Sequence, residues 1–172
     1  MKHINVEIKA KCQNPEAIRQ ILKEQKADFK GLDHQIDTYF KVSNGRLKLR
    51  EGNIENYLIF YARNNQKGPK EANVALYKID PKLNLKEILE KSLGTLVTVG
   101  KRREIYFIEN IKFYIDKVKE LGSFMEIEAQ SKDGLISREK LLAQCQSYMK
   151  LLGINEKDLI SESYSDLLLN KK

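Results

Sequence analysis

The sequence predicts an α+β protein of about eight antiparallel strands that curl or close toward a barrel, with helices packed on the outside. Apolar and polar residues alternate through eight short segments, which is the pattern of strands with one buried face. Short turns join most of these segments and few are followed by a crossover helix, which argues against an α/β fold. A sheet of this size tends to curl or close so that no edge stays unpaired.

The first half of the chain contains one helix and five strands. In residues 3–13 every second residue is apolar, as in a strand with one buried face. Asn14 and Pro15 then begin an amphipathic helix that is predicted to extend to residue 27. A Ser-Asn-Gly turn at 43–45 marks a hairpin. The four further strands are predicted at 34–42, 46–51, 55–63 and 72–79.

The second half continues the same sheet and ends in helices. A helix is predicted at 81–94, where a glycine ends it. Three strands follow at 95–109, 111–118 and 124–131. The remaining segments, at 137–153 and 158–168, are predicted to be helical.

Size and composition favour one compact domain over residues 1–172. Hydrophobic residues make up 41% of the chain, which is enough for a core. No apolar run approaches a membrane span and no cleavable leader opens the chain, so we expect a cytoplasmic protein with no membrane partner. Cys12 and Cys145 lie in unrelated segments and are expected to be reduced thiols.

The charge of the chain points to an anionic ligand. The 31 lysines and arginines exceed the 24 acidic residues, for a formal net charge of +7. Such an excess suits a nucleic acid, an acidic membrane surface or a phosphorylated small molecule. Net charge cannot choose among these three, whereas the positions of the charges along the strands can.

Charged side chains share one face of five predicted strands, and their signs are sorted. The segments near 46–50 and 101–103 offer only cations, 111–118 and 124–131 carry the acidic residues, and the first strand carries both signs. One such strand would usually be a solvated face, but five agree. If the helices cover the apolar faces, the charged faces line the interior of the barrel. The residues concerned are Glu7, Lys9, Lys11, Arg46, Lys48, Arg50, Lys101, Arg103, Lys112, Asp116, Glu126 and Glu128.

This combination of charges predicts that the tunnel binds a triphosphate together with a metal ion. Rows of lysine and arginine in a water-filled tunnel would be matched by a polyanion. Carboxylates in the same tunnel would bind a divalent cation, and oxygen ligands favour Mg²⁺ or Mn²⁺. Phosphoryl chemistry needs both kinds of group.

The ordered motifs resemble the CYTH superfamily, the triphosphate tunnel metalloenzymes, which include class IV adenylyl cyclases and thiamine triphosphatases. The resemblance covers nearly the whole chain and implies an eight-stranded barrel whose lumen binds a triphosphate with Mg²⁺ or Mn²⁺. The motifs that carry it are E-x-K at Glu7 and Lys9, DTYF (37–40), GRLKLRE (45–51), GKRREIYF (100–107), IDKVKELGSFMEIE (115–128) and SYSDLL (163–168).

The resemblance also implies individual roles. Glu7 and Lys9 correspond to the second Glu and the Lys of the family signature E-x-E-x-K, and they are catalytic candidates together with Tyr39. Asn5 stands where the first Glu is expected, so it offers an oxygen ligand without charge. The implied substrate-binding residues are Lys9, Lys11, Arg46, Lys48, Arg50, Arg63, Lys101, Arg103 and Lys112, and the implied metal ligands are Glu7, Asp116, Glu126 and Glu128.

Two reactions fit such a tunnel. Water could hydrolyse tripolyphosphate, thiamine triphosphate or a nucleoside triphosphate, or ATP could cyclise to cyclic AMP and pyrophosphate. We expect hydrolysis, because the His-Phe pair that precedes the signature in some cyclases is absent. Asn5 also leaves open a non-catalytic module that binds triphosphate or polyphosphate. A nucleic-acid partner is disfavoured because aromatic residues are not interleaved with the basic ones for stacking, and a homodimer is left open.

Overall fold

The computed structural model describes residues 4–62, 65–131 and 134–171. It contains eight strands and four α-helices within these ranges. The strands are β1 (Ile4–Lys11), β2 (Asp28–Phe40), β3 (Arg46–Glu51), β4 (Tyr57–Ala62), β5 (Lys70–Lys78), β6 (Thr95–Ile108), β7 (Ile111–Val118) and β8 (Gly122–Ser131). The helices are α1 (Pro15–Glu24), α2 (Leu85–Leu93), α3 (Arg138–Leu151) and α4 (Tyr164–Leu169), with a 3₁₀ turn at Glu156–Asp158.

The strands form a closed antiparallel barrel in the order β1-β5-β4-β3-β2-β6-β7-β8. The barrel closes because β1 pairs with β5 on one side and with β8 on the other. Both neighbours of every strand are therefore occupied, and no edge is left open. The predicted α+β class and the eight-stranded barrel are confirmed.

The main core lies between the outer wall of the barrel and the helices. The outward side chains of β1, such as Val6 and Ile8, are buried against Ile18 and Leu22 of α1 and Leu141 of α3. Because side chains alternate along a strand, the neighbouring odd-numbered residues of β1 point into the barrel. Covering the apolar face with helices thus leaves the charged face for the lumen.

A second apolar cluster fills part of the barrel interior. Val97 and Val99 on β6 are buried there with Phe124 of β8 and with Tyr164 and Leu168 of α4. The Ser163 side chain caps α4 by accepting from the backbone N–H of Asp166. This packing brings Tyr164 to the inner wall, next to the charged residues described below.

The C-terminal segment differs from the predicted helix over 158–168. Leu159 forms a β-bridge with Ala10, and the backbone N–H of Ile160 donates to the carbonyl of Lys9 at 2.9 Å. The prediction is wrong for residues 159–163, where bonding to β1 replaces helical hydrogen bonds. Only the short α4 is helical in the later part of this segment.

Several smaller predictions can be compared with the structure. β2 begins at Asp28 rather than at residue 34, because it pairs with the long β6 through a register shift near Gly31. Cys12 and Cys145 are both buried free thiols, as expected. No helix among the described residues is long and apolar enough to cross a membrane.

Candidate active site

A cavity inside the barrel brings most of the predicted site residues together. It contains about 970 Å³ of empty space, part of it open to solvent, and all eight strands contribute to its wall. The predicted residues that line it are Glu7, Lys9, Tyr39, Lys48, Arg50, Lys101, Arg103, Lys112, Glu126 and Glu128.

Three predicted residues lie off this wall, and a fourth cannot be placed. Lys11 is exposed at the end of β1. Arg46 pairs with Asp166 of α4, with 2.8 Å between its Nη2 and the carboxylate. Asp116 is buried and is not among the residues that line the cavity. Arg63 lies outside the described residues.

Asp37 on β2 is the centre of the cationic side of the cavity. It is only 1% exposed and accepts hydrogen bonds from Lys48 Nζ at 2.9 Å, Lys101 Nζ at 2.8 Å and Arg50 Nε at 2.8 Å. Burial disfavours the charged carboxylate, but the charges of Arg50, Lys101 and Lys48 outweigh it and hold the pKa of Asp37 well below its usual range. Three cations thus share one carboxylate.

Tyr39 lies beside this cluster on the same face of β2. It is buried, and its hydroxyl accepts from Lys48 Nζ at 3.4 Å. Burial and the negative charge of Asp37 raise the pKa of the Tyr39 phenol, so it stays protonated at neutral pH. Tyr39 can therefore donate a hydrogen bond, which is a positioning role rather than that of a base.

Asp116 is a buried carboxylate that holds the guanidinium of Arg103 in place. Its Oδ1 accepts from Arg103 Nε at 2.7 Å, and its Oδ2 accepts from both Arg103 Nη2 and the hydroxyl of Tyr164, the latter at 2.8 Å. Because both oxygens are occupied, this arrangement favours a supporting role for Asp116. Its predicted role as a metal ligand stays a prediction.

Glu55 is a wall residue that was not among the predicted site residues. It follows β3 in a loop whose backbone N–H groups at Ile54 and Glu55 donate to Asp33 at 2.9 Å. Glu55 accepts from Arg50 Nη1 at 2.9 Å and from Lys112 Nζ at 3.3 Å. Burial opposes its ionisation, but the charges of Arg50 and Lys112 prevail and lower its pKa to about 2. The predicted strand 55–63 did include Glu55, and alternation places it on the same face as Tyr57 and Ile59, so the pattern could have pointed to it. In the structure β4 begins only at Tyr57.

The two carboxylates of β8 have different surroundings. Glu126 contacts Lys9 Nζ at 3.4 Å and Arg103 Nη2 at 3.0 Å. Burial works against its charged form, but Arg103 and Lys9 keep the pKa of Glu126 low. It is therefore a charged partner of the cations.

Glu128, in contrast, is held by neutral donors. It accepts from Asn5 Nδ2 at 2.6 Å, Gln130 Nε2 at 3.0 Å and the Tyr114 hydroxyl at 3.2 Å. Burial raises the pKa of Glu128. Asn5 Oδ1 is buried without a hydrogen-bond partner, so an unsatisfied acceptor oxygen lies beside Glu128.

The charged side chains around the cavity balance one another, so the cavity is not predominantly cationic. Each of the six cations that line the cavity lies within 3.4 Å of at least one carboxylate oxygen. Among the described residues, four acidic side chains line the cavity, and Asp37 and Asp116 are buried next to it. Together they equal the six lysine and arginine side chains of the lining in number. Individual strands carry mainly one sign of charge, but the cavity does not contain a purely cationic surface. Closure of the barrel brings basic and acidic strands together.

The residues present fit a divalent cation shared with a substrate. Among the described residues, no three acidic, histidine or cysteine side chains form a ready-made metal site. Glu7 and Glu128 are nevertheless directly opposite each other on the paired strands β1 and β8 and both line the cavity. Mg²⁺ is commonly held by one or two carboxylates together with substrate phosphates and water, which matches this pair.

Lys101 should titrate near neutral pH. Burial, assisted by the charges of Arg50 and Arg103, outweighs Asp37 and lowers the pKa of Lys101 to about 7. The ammonium form is therefore present below pH 7 and disappears above it, so affinity for an anion should fall as the pH rises through 7. We expect ¹⁵N NMR of the lysine side chain to show this midpoint, and tripolyphosphate to move it upward. An unperturbed midpoint near that of a free lysine would contradict the prediction.

A closed antiparallel barrel with cations and carboxylates converging on its lumen defines this protein as an ion-lined tunnel protein. The model of the CYTH domain family matches residues 3–164. The chain therefore belongs to the CYTH family, as its motifs had indicated.

Similar proteins agree with this assignment. The chain is 29% identical to "Putative adenylate cyclase MJ0240" from Methanocaldococcus jannaschii over 95% of this chain and 98% of that protein. The fold is similar to the PH1012 protein from Pyrococcus horikoshii OT3, with a TM-score of 0.78, 23% identity and coverage of 95% of this chain and 98% of that one.

A plant protein has the same fold. It is "Putative adenylyl cyclase HpAC1" from Hippeastrum, with a TM-score of 0.63, 14% identity and coverage of 98% of this chain and 96% of that one. Its structure is described as revealing a dominant triphosphatase activity. The proteins similar to this chain thus include one named "Putative adenylate cyclase MJ0240" and one whose structure is described as revealing triphosphatase activity.

Proposed function

We propose that this protein is a metal-dependent phosphohydrolase that binds a triphosphate in the barrel cavity and releases orthophosphate from it. The observation that carries the proposal is the convergence of cations from β1, β3, β6 and β7 with the carboxylates of β8 in one cavity. Such a site can neutralise the charge that develops during phosphoryl transfer. Mg²⁺ or Mn²⁺ is the proposed cofactor.

Three cations would bind the phosphate chain at the Asp37 cluster. Lys48, Arg50 and Lys101 share Asp37, which leaves a local excess of positive charge even though Arg50 also contacts Glu55. Arg50 already donates from Nε and Nη2 to Asp37 and from Nη1 to Glu55, so only its remaining Nη N–H groups can reach a phosphate oxygen, whereas the lysines act as point charges. Their contacts with Asp37 hold them in place before the substrate arrives.

The opposite side of the cavity would hold the cation. Glu7 and Glu128 would be its protein ligands, with Asn5 Oδ1 available as a neutral third oxygen. A bound divalent cation would neutralise phosphate charge and polarise the phosphorus–oxygen bonds. Because the cations of the wall are already balanced by carboxylates, a triphosphate is expected to bind tightly only together with its metal.

The cyclase reaction is the second candidate, and the name of the Methanocaldococcus jannaschii relative favours it. A non-catalytic triphosphate-binding module is the third. It is favoured by Asn5, which replaces one charged ligand of the family signature by an amide.

A substrate panel separates these candidates. Tripolyphosphate, thiamine triphosphate and ATP would each be incubated with Mg²⁺ and with Mn²⁺, and the products identified by chromatography. We expect orthophosphate from at least one of them, and no product in the presence of EDTA. Cyclic AMP and pyrophosphate without orthophosphate would overturn hydrolysis in favour of cyclisation. Tight binding in calorimetry without turnover of any substrate would instead identify a binding module.

A further inference from the structure

We propose that the cavity contains a second subsite, an apolar panel on β4 and β5, which binds an uncharged aromatic base. The panel consists of Tyr57, Ile59, Tyr61, Val74 and Leu76, all of which line the cavity. The substrate would accordingly be a nucleoside triphosphate rather than inorganic tripolyphosphate. This inference rests on the proposed function, because the phosphate site fixes where the rest of the substrate can lie.

The panel is a distinct sector of the wall. β1, β3, β6, β7 and β8 each place charged side chains on the cavity. The described lining residues of β4 and β5, which are neighbours in the barrel, are all apolar or aromatic. The lining is therefore two-sided, with ionic groups on most of the circumference and an apolar sector between β1 and β3.

Strand register makes the panel continuous. Ile59 is opposite Leu76, and Tyr61 is opposite Val74. Side chains opposite each other on antiparallel strands are about 4.5–5.5 Å apart at Cβ, so the four form one surface. Ile59 and Tyr61 are only 7% and 8% exposed, whereas Leu76, which also lines the cavity, is 57% exposed.

The panel also borders the phosphate-binding residues. Ile59 is opposite Lys48 on β3, and Lys48 Nζ lies 5.7 Å from the centre of the Tyr61 ring. One molecule can therefore contact Lys48 through a phosphate and the panel through an organic group. An inorganic polyphosphate has no apolar part that would gain from burying Leu76.

The same contact favours a neutral ring over a cationic one. The Lys48 ammonium already lies near Tyr61, so it would repel a positively charged ring such as the thiazolium of thiamine triphosphate. Asp37 offsets the charge of Lys48 only in part, because it is shared with Arg50 and Lys101, and no described side chain of the panel is a carboxylate. An uncharged base can instead stack on the tyrosine rings and bury the aliphatic side chains.

The test compares Leu76→Ser with Tyr77→Ser. Tyr77 is the next residue on β5 and is 70% exposed on the opposite face, so it is a matched control for strand stability. The probes are ATP, its uncleavable β,γ-imido analogue, thiamine triphosphate and tripolyphosphate, all with Mg²⁺. The measurements are KM for the substrates that turn over and Kd for the imido analogue and tripolyphosphate by calorimetry.

We expect Leu76→Ser to raise the KM for ATP and the Kd of the imido analogue about 5- to 20-fold, because serine cannot bury apolar surface against the base as leucine does. Values for tripolyphosphate should change less than about twofold, and Tyr77→Ser should leave all of them unchanged. Equal weakening of ATP and tripolyphosphate, or no weakening of ATP, would overturn the inference. A larger effect on thiamine triphosphate than on ATP would overturn the assignment of a neutral base.

Failure of the inference is distinguishable from failure of the proposed function. If the wild-type protein cleaves no triphosphate, the proposed function fails, but selective weakening of the imido analogue by Leu76→Ser still supports the subsite. If tripolyphosphate is cleaved and Leu76→Ser has no selective effect on either nucleotide, the subsite is wrong and the hydrolase function stands.

Discussion

Replacing Glu128 by glutamine is expected to lower metal-dependent turnover of a triphosphate on the order of 10²–10³-fold, because one of two opposed carboxylates loses its charge. The fold should be nearly unaffected. Glu128 accepts hydrogen bonds from three neutral groups, at Asn5, Tyr114 and Gln130. Its amide replacement has a carbonyl oxygen that can accept in the same place, and no buried cation loses its direct partner.

The measurement pairs activity with direct cation binding. Turnover would be followed in Mg²⁺ and Mn²⁺, Mn²⁺ binding by electron paramagnetic resonance with tripolyphosphate present, and stability by thermal melting. Glu90→Gln on the exposed side of α2 is the matched control, and it should leave all three unchanged. Wild-type turnover together with unchanged Mn²⁺ binding in Glu128→Gln would remove this residue from the metal site.

Asp37→Asn is expected to have the largest effect on stability. The substitution leaves the buried Arg50 and Lys101 and the half-buried Lys48 around a neutral side chain. Removing one partner of a buried ion pair costs about 3–5 kcal/mol. For a chain of this size that corresponds to a decrease in Tm of about 6–20 °C.

Added anion should restore part of this stability. Tripolyphosphate, measured with and without Mg²⁺, is expected to raise the Tm of Asp37→Asn by more than that of the wild-type protein, because it replaces the missing negative charge. Asp28→Asn on the same strand is the control, since Asp28 is exposed and should contribute little. An unchanged Tm in Asp37→Asn, or equal Tm shifts in variant and wild type, would contradict the role of Asp37.

Strand periodicity predicted most of the charged side chains that line the cavity, although Lys11, Arg46 and Asp116 lie off its wall. Lys48 and Arg50 alternate with leucines, and Glu126 and Glu128 alternate with apolar residues. Because successive residues of a strand face opposite sides, this assignment needs only local sequence. The family motifs predicted that the sheet closes into a barrel, and the structure contains a closed barrel.

The partners of these side chains could not be predicted in the same way. Asp37 meets Lys101 across 64 residues of chain, and Arg103 meets Asp116 across the β6–β7 pair. Glu55 precedes β4, and its partners Arg50 and Lys112 come from two other strands. These contacts depend on strand order and register, which are properties of the closed barrel rather than of any one segment.

The sequence by itself determined the fold class, the family and most of the residues that carry the charge of the lumen, but not Asp37 or Glu55. Only the tertiary structure decided how these charges neutralise one another, which separates Glu126, a partner of buried cations, from Glu128, which has neutral partners. It also decided that β4 and β5 lie side by side and form an apolar sector. The physical reason is that alternation along a strand is local, whereas Coulomb and packing contacts act between strands brought together by folding.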